Sequence, residues 1–152
     1  MSKEQTILQL RDAKKAHIKW VQRAKALTEG LPIEKDAIPM ESTECAFGQW
    51  FYGEGQKLGL LPGMECFKEI ERQHNALHDI YLKIFKIYFG ERHRSFFSKL
   101  FNIKRTITPA EHDIAVDYFT QLKEVSEVLL GQIEKLERRL NAMPESEIVN
   151  SL

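Results

Sequence analysis

The chain carries no surplus of charge of either sign: 22 acidic and 22 basic residues cancel to a formal net charge of zero over 152 residues. A nucleic-acid footprint or an anionic membrane surface calls for a basic excess, so neither is expected as a partner. Long hydrophobic runs are missing too. No stretch approaches the roughly 20 apolar residues that span a bilayer, so no transmembrane helix is expected. The opening stretch MSKEQTILQLRDAKK is charged and amphipathic, without the apolar region of a signal peptide. Cysteine is scarce, with Cys45 and Cys66 alone. In the reducing cytoplasm that these absences point to, both remain thiols. Internal repeats, low-complexity tracts and strand-like alternation beyond a few residues are also lacking. What remains is the length of one domain, 43% hydrophobic and 29% charged, which is enough to bury a core.

Helical periodicity fills most of that length. The stretch 3–28 reads as one helix, with Leu10, Ala13, His17, Trp20, Ala24 and Leu27 recurring at alternating steps of three and four. Gly30 and Pro32 end it. A connecting loop with Pro32 and Pro39 fills 31–43. The stretch 41–52 reads as a short helix or turn, with Ser42 or Thr43 as its cap. The run GEGQKLGLLPG reads as a punctuated loop. A second long helix is expected over 64–89, with a stripe of Phe67, Ile70, His74, Leu77, His78, Tyr81, Ile84, Phe85 and Tyr88, closed by Gly90. The segment 91–108 is locally basic and rich in phenylalanine. It reads as a short helix or a loop pinned by its aromatics, with its basic stretch solvated and contact with a membrane or an acidic partner as the minority reading. Thr108, Pro109 and Glu111 form a helix start with a capping box. The helix that follows runs to about 141, and the polar tail 143–152 is expected to fray. The fold class is therefore all-α, an antiparallel helical bundle of three long amphipathic helices and one or two short ones, four-helix-bundle-like, with 1–142 as a single domain. Three long helices leave an apolar seam to cover, so a homodimer is expected.

Two histidines interrupt the second apolar stripe. His74 and His78, four apart in HNALH, share a helix face. That spacing alone belongs more often to surface or capping residues than to a metal site. Its inward placement changes the balance, because two adjacent buried imidazoles repel if protonated and need partners if neutral. His17 lies on the seam of another helix and adds a third nitrogen. Cys45, in the run ECAFGQWFYGEG, adds a soft anionic donor, which favours zinc over magnesium or calcium.

In order, His17 followed by IKW, then Cys45-Ala46-Phe47-Gly48-Gln49-Trp50-Phe51-Tyr52, then Phe67, then His74 and His78, the chain resembles the chemoreceptor zinc-binding domain over 13–89. The resemblance implies a cytoplasmic, bacterial, helical protein, often dimeric, that binds zinc through three histidines and one cysteine and regulates signalling proteins. Carried over by position, the zinc ligands are His17, Cys45, His74 and His78. The family's cysteine is its reactive element, responding to zinc level or to an oxidant such as hypochlorous acid. Four protein ligands leave no open coordination position, so no enzymatic activity is expected. A chemotaxis-type signalling partner is implied. The family usually occurs attached to a chemoreceptor or a cyclase, and neither lies within these 152 residues.

Other residues have plainer readings. Trp20 and Trp50 are read as packing. Gly48 either lets the Cys45 turn approach the bundle closely or is a tolerated helix glycine. Tyr52, Glu71 and Asp79 are candidate partners for the ligand rings. Cys66 is read as a small buried hydrophobe, His112 as exposed, and His93 as outside the pattern. Two other functions share parts of this pattern. One is a structural zinc bundle or adaptor without sensing. The other is a di-iron-type bundle, which calls for Glu-x-x-His pairs. Glu71 and His74 supply one such pair, and the remaining histidines supply no second.

Overall fold

The computed structural model describes residues 1–90 and 106–151. Among them are five α-helices: α1 (Lys3–Thr28), α2 (Ala46–Tyr52), α3 (Cys66–Phe89), α4 (Pro109–Ala142) and α5 (Glu145–Ser151). Two 3-10 turns, Lys35–Ala37 and Glu54–Leu60, lie in the crossover from α1 to α3, and no strand is present among the described residues. The expected all-α bundle is the observed one. The reading of segment 91–108 falls largely outside the described residues, as does His93.

Local chemistry sets the helix ends. Ser2 caps α1, its side chain accepting from the Gln5 amide while Gln5 reaches back to the Ser2 amide. Thr108 and Glu111 do the same for α4, with Pro109 in the first turn where no amide is needed. Gly90 ends α3 at φ 73°, a left-handed conformation that a side chain would resist.

Cross-helix contacts give the directions. Along α1 and α4, Lys3 meets Asn141, Arg11 meets Glu137, Lys14 meets Glu134 and His17 meets Ser126, so the two run antiparallel. Glu65 with Arg139 and Lys83 with Tyr118 make α3 antiparallel to α4 as well. α1 and α3 are therefore parallel to each other, with Trp20 beside Tyr81 and Thr28 beside Tyr88. This refines the simple antiparallel expectation. The crossover 29–65 carries the chain back to its starting end, so both helices can lie against α4 in the same sense.

The core is the interior of this three-helix layer. Leu10, Ala24 and Leu27 of α1, Leu77, Tyr81 and Ile84 of α3, and Leu122, Leu129 and Ile133 of α4 are fully buried. Each large apolar side chain so buried contributes roughly 1.5–3 kcal/mol before chain entropy is subtracted. α2 packs on α1 and lays Phe47 and Phe51 into the same core. The tail departs from the frayed coil expected of it. Glu145–Ser151 is helical, and Ile148 is fully buried. The Lys3 ammonium helps hold this end by donating to the Asn141 and Met143 carbonyls. No helix among the described residues is long and apolar enough to cross a membrane.

Candidate metal centre

The predicted stripe of α3 is buried along its length, and both histidines go inward with it: His74 is 1% exposed and His78 5%. One helical turn apart, their rings stand edge to face with centroids 4.8 Å apart. Trp20 of α1 covers His78 at 4.6 Å, and Phe47 of α2 covers His74 at 4.8 Å. The Trp20 indole N–H donates to the Pro39 carbonyl at 2.9 Å, which ties this wall to the crossover. Trp20 is thus packing, as expected.

His78 has a defined tautomer. Its Nδ1 lies 2.7 Å from the Met40 carbonyl oxygen, which can only accept, so Nδ1 carries the proton and Nε2 keeps its lone pair. His74 turns Nε2 to the Cys45 sulfur at 3.2 Å, and its buried Nδ1 has no hydrogen-bond partner among the described residues.

Cys45 reaches this point by capping α2 itself, where the sequence suggested Ser42 or Thr43. Its Sγ accepts from the Gly48 amide at 3.2 Å. A thiol is a weak acceptor, so the cap gains strength as the sulfur becomes anionic. Gly48 serves the close approach. A Cβ at this position would stand 1.7 Å from the Ser42 carbonyl oxygen and 3.3 Å from Cε1 of His74. The absence of that one carbon lets the Cys45 turn sit against α3.

Cys45, His74 and His78 each offer a donor atom, and these atoms lie within 4.8 Å of one another. His17 is equally buried, at 2% exposure, but its Nε2 faces Ser126 Oγ of α4 at 2.9 Å and it stands outside that convergent set. It remains an electrostatic neighbour of both other histidines.

Burial among rings decides the protonation states. Desolvation lowers His17 to about 4, with repulsion from His78 adding to it. Desolvation likewise lowers His74 to about 3, helped by His78 and His17. It lowers His78 too, against the opposing pull of the Met40 carbonyl. All three are therefore neutral at neutral pH, the form that can donate a lone pair. Burial pushes the Cys45 thiol up, partly offset by the amides that face its sulfur. A cation bound there would take the place of the thiol proton.

This donor set fits zinc. One thiolate and neutral imidazoles are borderline-soft ligands, and zinc–sulfur and zinc–nitrogen bonds of about 2.3 and 2.0–2.1 Å place tetrahedral neighbours roughly 3.6 Å apart. The observed 3.2 Å between Cys45 Sγ and His74 Nε2 is close to that spacing. Among the described residues no carboxylate belongs to the convergent set, as a di-iron site would require.

The other sequence candidates are not members of the convergent set, although the Asp79 carboxylate pulls His78 toward its charged form. Tyr52 donates to Asn75 Oδ1 at 3.4 Å and lies near Glu71. The observed ring partners of the histidines are instead Met40 O, Cys45 Sγ and Ser126 Oγ. Cys66 is buried in the first turn of α3, outside the cluster, and His112 is exposed. Met40 escaped the sequence because it acts through its backbone carbonyl, which no residue type advertises. Ser126 had a faint signal as a small polar residue in the buried face of α4.

The family model of the chemoreceptor zinc-binding domain matches residues 17–85, the family whose resemblance the sequence carries. No curated protein and no solved structure gives a match. The matched stretch includes His17 and the whole Cys45–His74–His78 cluster. Zinc is the cofactor that the family and the cluster together indicate.

Proposed function

We propose that this chain, whose residues 17–85 match the chemoreceptor zinc-binding domain, is a zinc-responsive regulatory protein of the bacterial cytoplasm. In this reading His17, Cys45, His74 and His78 hold the ion, and a signalling partner reads its presence or the redox state of Cys45. The observation that carries the reading is the convergence of a buried thiol and two buried, neutral imidazoles from two different elements.

Bound zinc would supply a crosslink between segments and hold Cys45 as thiolate. With four protein donors it leaves no place for a reacting water, so the reading is regulatory and not enzymatic. His74 and His78 stand on the 24-residue helix α3 and form the fixed half of the site. Cys45 stands at the start of the 7-residue α2, which the crossover carries. Hypochlorous acid would convert the Cys45 thiolate to a sulfenic acid, the sulfur gaining the oxygen and the oxidant leaving as chloride. That change removes the negative charge on the donor, and α2 is then the element free to shift.

Elemental analysis combined with native mass measurement tests the first part. One zinc per chain in a dimer is the expected result, and iron in excess of zinc would overturn the assignment. Zinc release under mild oxidant, followed with a chromogenic chelator, tests the second part. Retention of zinc at oxidant levels that modify Cys45 would leave a purely structural zinc bundle.

A further inference from the structure

Ser126 is the polar break in the buried face of α4. Ala115, Leu122, Leu129, Ile133, Leu136 and Leu140 on that face are all buried and apolar, and Ser126 among them is 4% exposed. A hydroxyl in such a place needs a partner. It has one in His17, across 109 residues of sequence, with Oγ 2.9 Å from Nε2. α4 lies wholly outside the matched stretch 17–85.

We propose that Ser126 is the positioning residue for His17, its Oγ accepting the Nε2–H so that the lone pair is left on Nδ1, the nitrogen with which His17 would join the Cys45–His74–His78 set from its place just outside it. His78 supplies the precedent within the same site. Its Nδ1–H donates to the Met40 carbonyl and leaves Nε2 free. Metal-binding histidines commonly donate their second ring N–H in this way, which fixes both tautomer and ring orientation. The two partners come from different parts of the fold, Met40 from the crossover and Ser126 from α4. Through Ser126 the zinc site extends to α4, and zinc affinity becomes sensitive to how α4 is docked on α1. The inference rests on the reading of His17 as a ligand.

Zinc affinity by chelator competition is the test, applied to the wild type, Ser126→Ala, Ser126→Thr and His17→Ala, with long-range 1H–15N spectra of the zinc-loaded imidazoles. Ser126→Ala is expected to weaken binding roughly ten- to hundredfold, the usual effect of removing such a partner. Ser126→Thr, which keeps the hydroxyl, should recover most of it. The wild-type spectrum should show His17 protonated on Nε2. A wild-type His17 protonated on Nδ1 overturns the proposal even if no variant folds. So does a Ser126→Ala protein with unchanged or tighter affinity while His17→Ala is weakened, and in that case the ligand reading stands. Wild-type affinity in His17→Ala, or a wild type that takes up no zinc, defeats the ligand reading itself.

Discussion

At Gly48 a single missing carbon sets the approach of α2 to α3. A Cβ there would stand 1.7 Å from the Ser42 carbonyl oxygen, which is backbone and cannot swing aside as a side chain can. Gly48→Ala is therefore expected to destabilise the protein by roughly 1–3 kcal/mol, the range for overpacking. It should also weaken zinc binding by lifting Cys45 from His74. Thermal unfolding with and without zinc checks both, and an unchanged zinc affinity would show that the Cys45 turn tolerates displacement. Cys45 itself gives a second prediction. Cys45→Ser keeps a cap for the Gly48 amide but removes the soft anionic donor. Zinc content at micromolar metal should fall well below that of the wild type, while helicity by circular dichroism changes little. Undiminished zinc in that variant would exclude the thiolate as a ligand. At this scale the sequence was informative about side chains that carry chemistry. Cys45, His74 and His78 are residue types that announce themselves. The Met40 carbonyl does not, because every residue has one and only the fold decides which oxygen meets His78 Nδ1.

Among the elements, α4 is the longest helix and the one to which both α1 and α3 are applied. Its stability should be limited by its buried face and only weakly by its surface pairs. Arg11–Glu137 and Lys14–Glu134 involve partly exposed groups, where such pairs are worth about 0–1 kcal/mol. Leu129 is fully buried, and Leu129→Ala is expected to cost roughly 2–5 kcal/mol in urea unfolding. Thr108→Ala, which removes the capping box, should cost about 1 kcal/mol. A larger loss for the cap than for Leu129 would mean that α4 is held by its start more than by its packing. The periodicity of three and four residues was enough to find α1, α3 and α4 within a few residues. The short elements were harder to place. The run GEGQKLGLLPG suggested a loop and holds a 3-10 turn, and α2 begins at Ala46 because the Cys45 sulfur is its cap. A short element takes its boundaries from a few specific contacts, which a periodic pattern does not encode.

For the molecule as a whole, the candidate site joins the crossover to the bundle. Cys45 belongs to the crossover, and His74 and His78 to α3, so a shared ion would close the path between them. Zinc at a hundred times its dissociation constant would add about 2.7 kcal/mol of stability. Chelation should therefore lower the unfolding temperature, and hydrogen exchange should rise first over 29–65, with the α3–α4 interface protected longest. Uniform loss of protection across all helices would indicate that zinc holds the entire bundle together.

The sequence by itself determined the helical class, the three long amphipathic helices and the presence of the residue types, cysteine and histidine, that a soft cation would need. These follow from local rules, since helical period, capping chemistry and ligand type are properties of short stretches. The parallel course of α1 and α3 was decided by tertiary structure, as were the burial that keeps three imidazoles neutral, the Cys45–His74 contact and the pairing of His17 with Ser126. Each of those depends on bringing together residues far apart in the chain, where desolvation and packing act and sequence spacing carries no signal.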